Sequence, residues 1–418
     1  MKAKFFYVLA ALIAGVLIFS ALRLVAQPAS PQLIFSCAAD NDLYQAISAR
    51  GASYPRHTSS TRAVQAAPNG AGVLILADGY PKTTTAITPA TLIRAAEKKL
   101  RLYIEYPSGA AFPDLKIGEP RQPHWERTVV ASHAFGDELQ KLRILKINDC
   151  HFLPVERQAS PVHLVSARVA GYDTAVYGLP EETWPLLFEH EHGDILIATT
   201  KLSQFVSGRY APSQAWEPVW KTILTWVSRG RQTPVIQWTP TVRPSFARNE
   251  TLPPESERQA LRRGLAWFDG FLVGESWKDE LAKPAKTGYG PADPKRRFNL
   301  PIGDGRHGIL EGHISKIFTD GSQPTRWLLR GDCTAESAMA YALGGSLDDD
   351  PRQRKIAANL MDFVYSTSGL YRDNPESPTY GLLGWFAYGS GPDAFWGNDG
   401  SKAIVGSLTA VAALGDDR

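Results

Sequence analysis

The chemistry-bearing residues of this chain gather late, in the run Trp327-Leu-Leu-Arg-Gly-Asp-Cys-Thr-Ala-Glu-Ser-Ala-Met-Ala-Tyr-Ala-Leu343. Asp332 and Glu336 stand a helical turn apart, which places both carboxyls on one helix face, and Arg330 is near enough to hold one of them ionised. Two carboxyl groups, one neutral and one ionised, are what hydrolysis of a glycosidic bond requires. Carboxyls on one helix face reach a substrate from the same side, so Asp399, or Asp393, from the following loop makes a better partner for Asp332, with Glu336 third. Residues 380–396 concentrate Tyr380, Trp385, Phe386, Tyr388, Phe395 and Trp396 among glycines. Flat rings on a loop are platforms for the apolar faces of sugars, and six in one short loop exceed what a lid needs. Against these stand structural readings. First-turn acids answer the helix dipole and cap free N–H groups, Asp beside Gly or Pro forms turns, and rings cover helix ends.

Four other motifs carry less. Glu189-His-Glu-His192 sets two imidazoles at strand spacing, where they could hold a metal, but no further ligands are in view and the helical His-Glu-x-x-His pattern is not met. An exposed strand end is the simpler reading, and no metal is expected. Ser132-His133 joins a hydroxyl to a base, yet adjacent side chains point apart, so nucleophilic chemistry there needs His133 or another base to meet the hydroxyl. Arg330-Gly-Asp332 spells an adhesion tripeptide, a three-letter match without weight. Gly303-Asp-Gly-Arg-His-Gly308 lacks the Lys-Ser/Thr ending of a phosphate-cradling loop, and no cofactor is expected.

The elements that must position these residues fall into two regions. Over 32–229, short apolar runs alternate with helical segments, the mark of a doubly wound α/β domain with a parallel sheet. The strands expected are 33–37, 73–77, 101–106, 128–131, 143–147, 162–169, 186–189 and 195–199. Thr88 caps a helix with Pro89 at its first position, and Trp216, Val219, Trp220, Ile223, Leu224 and Val227 form one apolar stripe. Residues 230–256 turn to Pro, Thr and Arg and read as the linker. From 257 to 418 helical periodicity prevails, at Leu261 to Leu272, Ala335 to Leu343, Ile356 to Val364 and Ile404 to Val411. A small hairpin is expected between Gly305 and Leu328, turning at Asp320-Gly321.

Composition narrows the partners. The chain has 418 residues, 44% hydrophobic, enough for two cores, and a net charge of +3 that gives no concentrated basic face for nucleic acid; Lys295-Arg296-Arg297 reads as a solvated loop. At the start, Lys2 and Lys4 precede an apolar run from Phe5 to Leu22, then Arg23 and the linker Gln27-Pro-Ala-Ser-Pro31. Residues 1–31 are therefore an export signal, either a cleaved signal peptide or an N-terminal membrane anchor, since the run approaches bilayer-spanning length and Leu24 before Ala26 makes a poor cleavage site. The bulk of the protein is expected outside the plasma membrane, periplasmic or extracellular, where disulfides form. Cys37 and Cys150 are the expected pair, with Cys333 left over.

Two resemblances rest on these residues. Val73-Leu-Ile-Leu-Ala-Asp-Gly-Tyr80, the helix after Thr88, Leu102-Tyr-Ile-Glu-Tyr106 and Ile195-Leu-Ile-Ala-Thr-Thr-Lys-Leu-Ser203 resemble a class I glutamine-amidotransferase-like domain over 32–229. That resemblance implies a cysteine at a sharp strand-to-helix turn; the corresponding stretch, Val130-Ala-Ser-His-Ala-Phe-Gly136, has Ser132 and His133 instead, implying an inactive domain. Asp320-Gly-Ser-Gln323, Arg330-Gly-Asp-Cys-Thr-Ala-Glu336, Tyr380-Gly-Leu-Leu-Gly-Trp385 and Trp396-Gly-Asn-Asp-Gly400 resemble the N-terminal part of a six-hairpin, or alpha/alpha-toroid, glycosidase-like domain over 257–418. A full toroid needs many more helices than are legible here, so this domain reads as partial, completed by further sequence or by a second chain.

The expectation is thus an exported carbohydrate-active protein. As a glycoside hydrolase it uses Asp332 and Asp399, with Glu336 third, and Arg330, Trp385, Trp396, Tyr380 and Tyr388 contact an oligo- or polysaccharide. The alternative is a binder of carbohydrate or envelope components without turnover. A third reading is an amidohydrolase acting through Ser132.

Overall fold

The computed structural model describes residues 33–156, 161–231, 233–247, 249–277 and 302–415. The apolar N-terminal run and Lys295-Arg296-Arg297 lie outside them. Among the described residues no helix is long and apolar enough to cross a membrane. The chain divides into two compact units between Arg243 and Pro244, inside the proline-rich stretch.

The first unit is built on one nine-stranded sheet. In chain order it comprises β1 (Leu33–Ser36), α1 (Asp42–Ser48), β2 (Arg56–His57), α2 (Ser60–Ala66), β3 (Gly72–Ile75), α3 (Pro89–Glu97), β4 (Arg101–Glu105), β5 (Arg127–Val130), β6 (Ile144–Leu145), β7 (Val162–Ala167), β8 (Thr183–Glu189), β9 (Ile195–Ala198) and α4 (Trp216–Val227). The strand order is β2-β1-β3-β4-β9-β8-β7-β5-β6. Alternating residues face opposite sides, as strand geometry requires. Leu33, Phe35, Leu74 and Tyr103 join Leu43, Ile47, Trp216 and Trp220 of α1 and α4 in one core. Ile34, Val73, Ile75 and Ile104 join Ala63, Val64 and Ala95 of α2 and α3 in the other. Helices therefore cover both faces. Thr88 accepts from the Thr91 N–H and caps α3, with Pro89 at its first position, as expected.

A wholly parallel sheet is corrected to a mixed one. Strands β2, β1, β3, β4 and β9 are parallel, whereas β8, β7, β5 and β6 pair antiparallel. The reason lies in the connections: a parallel crossover needs a dozen or more residues, usually helical, while β8 reaches β9 through residues 190–194 and β7 reaches β8 with no intervening helix. Strand β2, two residues without an apolar run, carried no sequence signal.

At the carboxyl ends of the parallel strands Glu105 is fully buried and accepts from Tyr103 Oη (2.9 Å), Leu202 N (3.1 Å), Ser203 N (2.8 Å), Ala77 N (3.2 Å) and Ser203 Oγ (2.8 Å). One side chain thus ties β3, β4 and the segment after β9. The expected Cys37–Cys150 disulfide is corrected: all three cysteines are free thiols. Cys150 Sγ instead meets Thr200 Oγ1 at 3.6 Å, and burial pushes the Cys37 and Cys150 thiols up to about 12.

The second unit is mainly helical, with α5 (Ser256–Asp269), the two-stranded β10 (Gly312–His313) and β11 (Thr325–Arg326), α6 (Gly331–Leu347), α7 (Pro351–Asp362) and α8 (Gly397–Leu414). The hairpin turns as expected at Asp320, whose Oδ1 accepts from the Ser322 N–H at 2.9 Å. Helix α6 packs against α5, α7 and α8. Its small residues permit this: a Cβ on Gly406 of α8 would lie 2.8 Å from the Ala335 carbonyl, and one on Gly345 would lie 2.9 Å from the Arg354 backbone nitrogen of α7. Leu265, Phe271, Leu310, Tyr341, Leu360 and Val364 fill the core.

Candidate functional site

The first turns of α6 and α8 converge on one arginine. Arg330, the residue before α6, is pinned to the aromatic loop by backbone bonds from Gly331 N to Trp385 O (3.2 Å) and Ala387 N to Leu329 O (3.0 Å). A Cβ on Gly331 would lie 2.8 Å from the Leu383 side-chain tip and 3.3 Å from the Gly384 carbonyl, so a larger residue here would have to displace Leu383. The guanidinium then faces three carboxylates. Nε and Nη2 donate to Asp332 Oδ1 (3.0 Å) and Oδ2 (2.8 Å), Nη2 also lies 3.0 Å from Asp399 Oδ2, and Nη1 donates to Glu311 Oε1 (3.2 Å). Arg326 Nη1 adds a 3.3 Å contact to the same Glu311 oxygen, and Lys402 Nζ stands 3.9 Å from Asp332 Oδ2. Burial pulls the pKa of the Arg330 guanidinium down, but Cys333, Asp332 and Glu311 around it outweigh that and leave it raised. The neighbouring Cys333 thiol is pushed up to about 12, first by burial and then by Asp332.

Of the residues expected from sequence, Arg330, Asp332, Asp399, Trp385 and Trp396 are brought together. The Arg330 guanidinium carbon stands 5.8 Å from the Trp385 ring, and that ring meets Trp396 edge-on at 5.9 Å. Trp396 is 55% exposed and immediately precedes α8, so the helix that supplies Asp399 also supplies an open ring face. Four expectations are not met. Glu336 is exposed on the next turn of α6 and joins no ion pair among the described residues, because the helix axis carries it away from Arg330. Tyr380 is exposed on its loop and makes no ring contact with Trp385 or Trp396. Asp393 pairs with Arg372 at 2.7 Å instead of Arg330. Tyr388 packs against the helical core, and burial raises its hydroxyl pKa.

Sequence reasoning missed Glu311. It stands next to β10, outside any helix, and only the hairpin fold carries it to Arg330. Its Oε2 and the Trp385 Nε1 are buried with no protein partner.

This arrangement constrains the chemistry. Guanidinium presents only donors, so an oxygen facing it must be a bare acceptor. Both oxygens of Asp332, which is 2% exposed, accept from Arg330. Asp332 is thereby held as a counter-ion to Arg330. The bidentate fork also fixes the guanidinium beside the Trp385 ring.

In the first unit, the expected nucleophile turn is corrected. Residues 130–136 leave antiparallel β5 and enter turns, not a helix. A left-handed residue after a parallel strand occurs instead at Tyr106 (φ 49°), which ends β4 and is a fully buried ring. His190 is 3% exposed rather than at an exposed strand end, its Nε2 standing 2.9 Å from Asp114 Oδ2. No group of three or more His, Cys, Asp or Glu residues able to hold a metal occurs among the described residues.

Comparison with known proteins finds no matching family model, no matching curated protein and no matching solved structure.

Proposed function

We propose that the chain is an exported carbohydrate-recognising protein whose second unit holds a glycan on Trp385 and Trp396 without cleaving it. The observation that carries this reading is the Arg330 fork: it engages both Asp332 and Asp399 as acceptors beside the Trp385 ring, which itself meets Trp396 edge-on. Sugar rings stack on exposed indoles, and buried polar atoms near the stack supply the directional bonds. Glu311 Oε2 and Trp385 Nε1 are buried polar atoms without a protein partner on residues in contact with Arg330. An alpha/alpha-toroid-like arrangement around this surface and a class I amidotransferase-like first unit are part of the same proposal, as is export through residues 1–31.

The hydrolase reading retains one support. The nearest oxygens of Asp332 and Asp399 can be no further apart than the 2.8 and 3.0 Å legs to Nη2 laid end to end. A retaining pair stands about 5–5.5 Å apart.

Affinity electrophoresis against soluble xylan, β-glucan, pectin and peptidoglycan fragments tests the two together. The expected result is retardation by at least one polymer, lost in Trp396→Ala and Trp385→Ala, with no reducing ends released. Reducing-end release abolished by Asp399→Asn would replace binding by hydrolysis, and absence of retardation by every polymer would end the carbohydrate reading.

A further inference from the structure

Away from the helical unit, three adjacent strands of the sheet place a serine, a histidine and a glutamate in line. In the strand order β8-β7-β5, Glu189 ends β8, His163 is the second residue of β7, and Ser132 lies two residues beyond β5. The Ala131 N–H donates to the His163 carbonyl at 2.8 Å, and the Glu189 N–H donates to the Pro161 carbonyl at 3.1 Å, so the backbone registers the three positions. Ser132 Oγ stands 3.0 Å from His163 Nδ1, and His163 Nε2 stands 3.3 Å from Glu189 Oε1.

The protonation pattern follows from the donor inventory. An ionised carboxylate only accepts, so Nε2 of a neutral ring must carry the hydrogen that meets Glu189, and Nδ1 must present its lone pair to the serine hydroxyl. Burial holds the His163 pKa below its ordinary 6.5, with Glu189 opposing the shift, so the ring is neutral at neutral pH and able to take a proton. The His163 side chain is 11% exposed and the Glu189 side chain 24%, and the Phe135 ring stands edge-on to the imidazole at 6.3 Å. Ser132 itself is half-buried, with His133 and Ala134 exposed beside it, so a substrate reaches the hydroxyl from solvent. The Ser132 hydroxyl oxygen also accepts from the Ala134 N–H at 3.2 Å, which fixes its rotamer.

We infer that Ser132, His163 and Glu189 form a catalytic triad for hydrolysis of carboxylic esters. Ser132 Oγ attacks the acyl carbon while its proton passes to His163 Nδ1. Collapse of the tetrahedral adduct breaks the bond to the alcohol oxygen, which leaves with the His163 proton, and the acyl group remains on Ser132. Water then gives a proton to His163 and attacks the acyl carbon, releasing the carboxylic acid and returning the proton to Ser132. Glu189 holds the tautomer and stabilises the imidazolium. Esters suit this site better than amides because a ring weakened as a base by burial works best on the more electrophilic carbonyl.

The experiment uses the full chain, p-nitrophenyl acetate as substrate and a fluorophosphonate as covalent probe. Peptide mapping of the labelled wild-type protein is expected to find the phosphonyl group on Ser132. Turnover should fall at least about 100-fold in Ser132→Ala and in His163→Ala, the order lost with a general base. The wild-type rate should rise with pH through an apparent pKa below 6.5. Label absent from the wild type or mapped to another residue, or turnover that survives Ser132→Ala, would overturn the proposal. Mapping on the wild-type chain keeps the question open to refutation even if a variant misfolds.

Discussion

Replacing Arg330 by Met keeps most of the side-chain volume and removes the guanidinium donors that face Asp332, Asp399 and Glu311. Glu311 retains Arg326 at 3.3 Å, but Asp332, 2% exposed, is left with only Lys402 at 3.9 Å. Breaking a buried pair by removing one partner costs about 3–5 kcal/mol, because the stranded charge has little water and here only the longer Lys402 contact. For a unit of this size each kcal/mol lowers the melting temperature by about 2–4 °C, so Arg330→Met should lower the transition of the helical unit by roughly 6–20 °C. Adding Asp332→Asn removes the stranded charge and should recover at least about half of that loss, a coupling of more than about 1.5 kcal/mol in a double-mutant cycle. Differential scanning calorimetry of the four proteins measures both quantities. A loss below about 1 kcal/mol for Arg330→Met, the size of a surface pair, would refute the buried clamp. Additivity of the two substitutions would refute the pairing of Arg330 with Asp332.

Two further outcomes follow from the packing. Glu105→Gln turns one acceptor oxygen into an amide facing donors at the ends of β3 and β4. At least one buried backbone N–H then faces a donor, so the first unit should lose about 1–3 kcal/mol in urea denaturation, and a loss under about 0.5 kcal/mol would show the clasp to be dispensable. Gly406→Val forces α8 away from the Ala335 carbonyl and should cost about 1–3 kcal/mol, read as a lower thermal midpoint; an unchanged midpoint would mean that the two helices are not so closely packed.

The sequence by itself determined the elements. Alternation and apolar runs located the eight expected strands, including β1, β3, β4, β8 and β9. The Thr88-Pro89 start and the Trp216 to Val227 stripe located α3 and α4, because caps and periodicity act over a few residues. In the second unit the same local signals located α6, α8 and the ring-rich loop, and with them Arg330, Asp332, Asp399, Trp385 and Trp396. Strand direction was not legible, since a strand reads alike whichever way its neighbour runs; connection length and packing made β5 to β8 antiparallel. Nor was it legible that Glu336 would point away, that Glu311 would enter through a hairpin, or that the base meeting Ser132 would be His163 rather than His133. Those outcomes depend on pairings between residues far apart in the chain, such as Ser132 with His163 or Arg330 with Asp399, and no local propensity encodes which distant side chains a register brings within 3.0 Å.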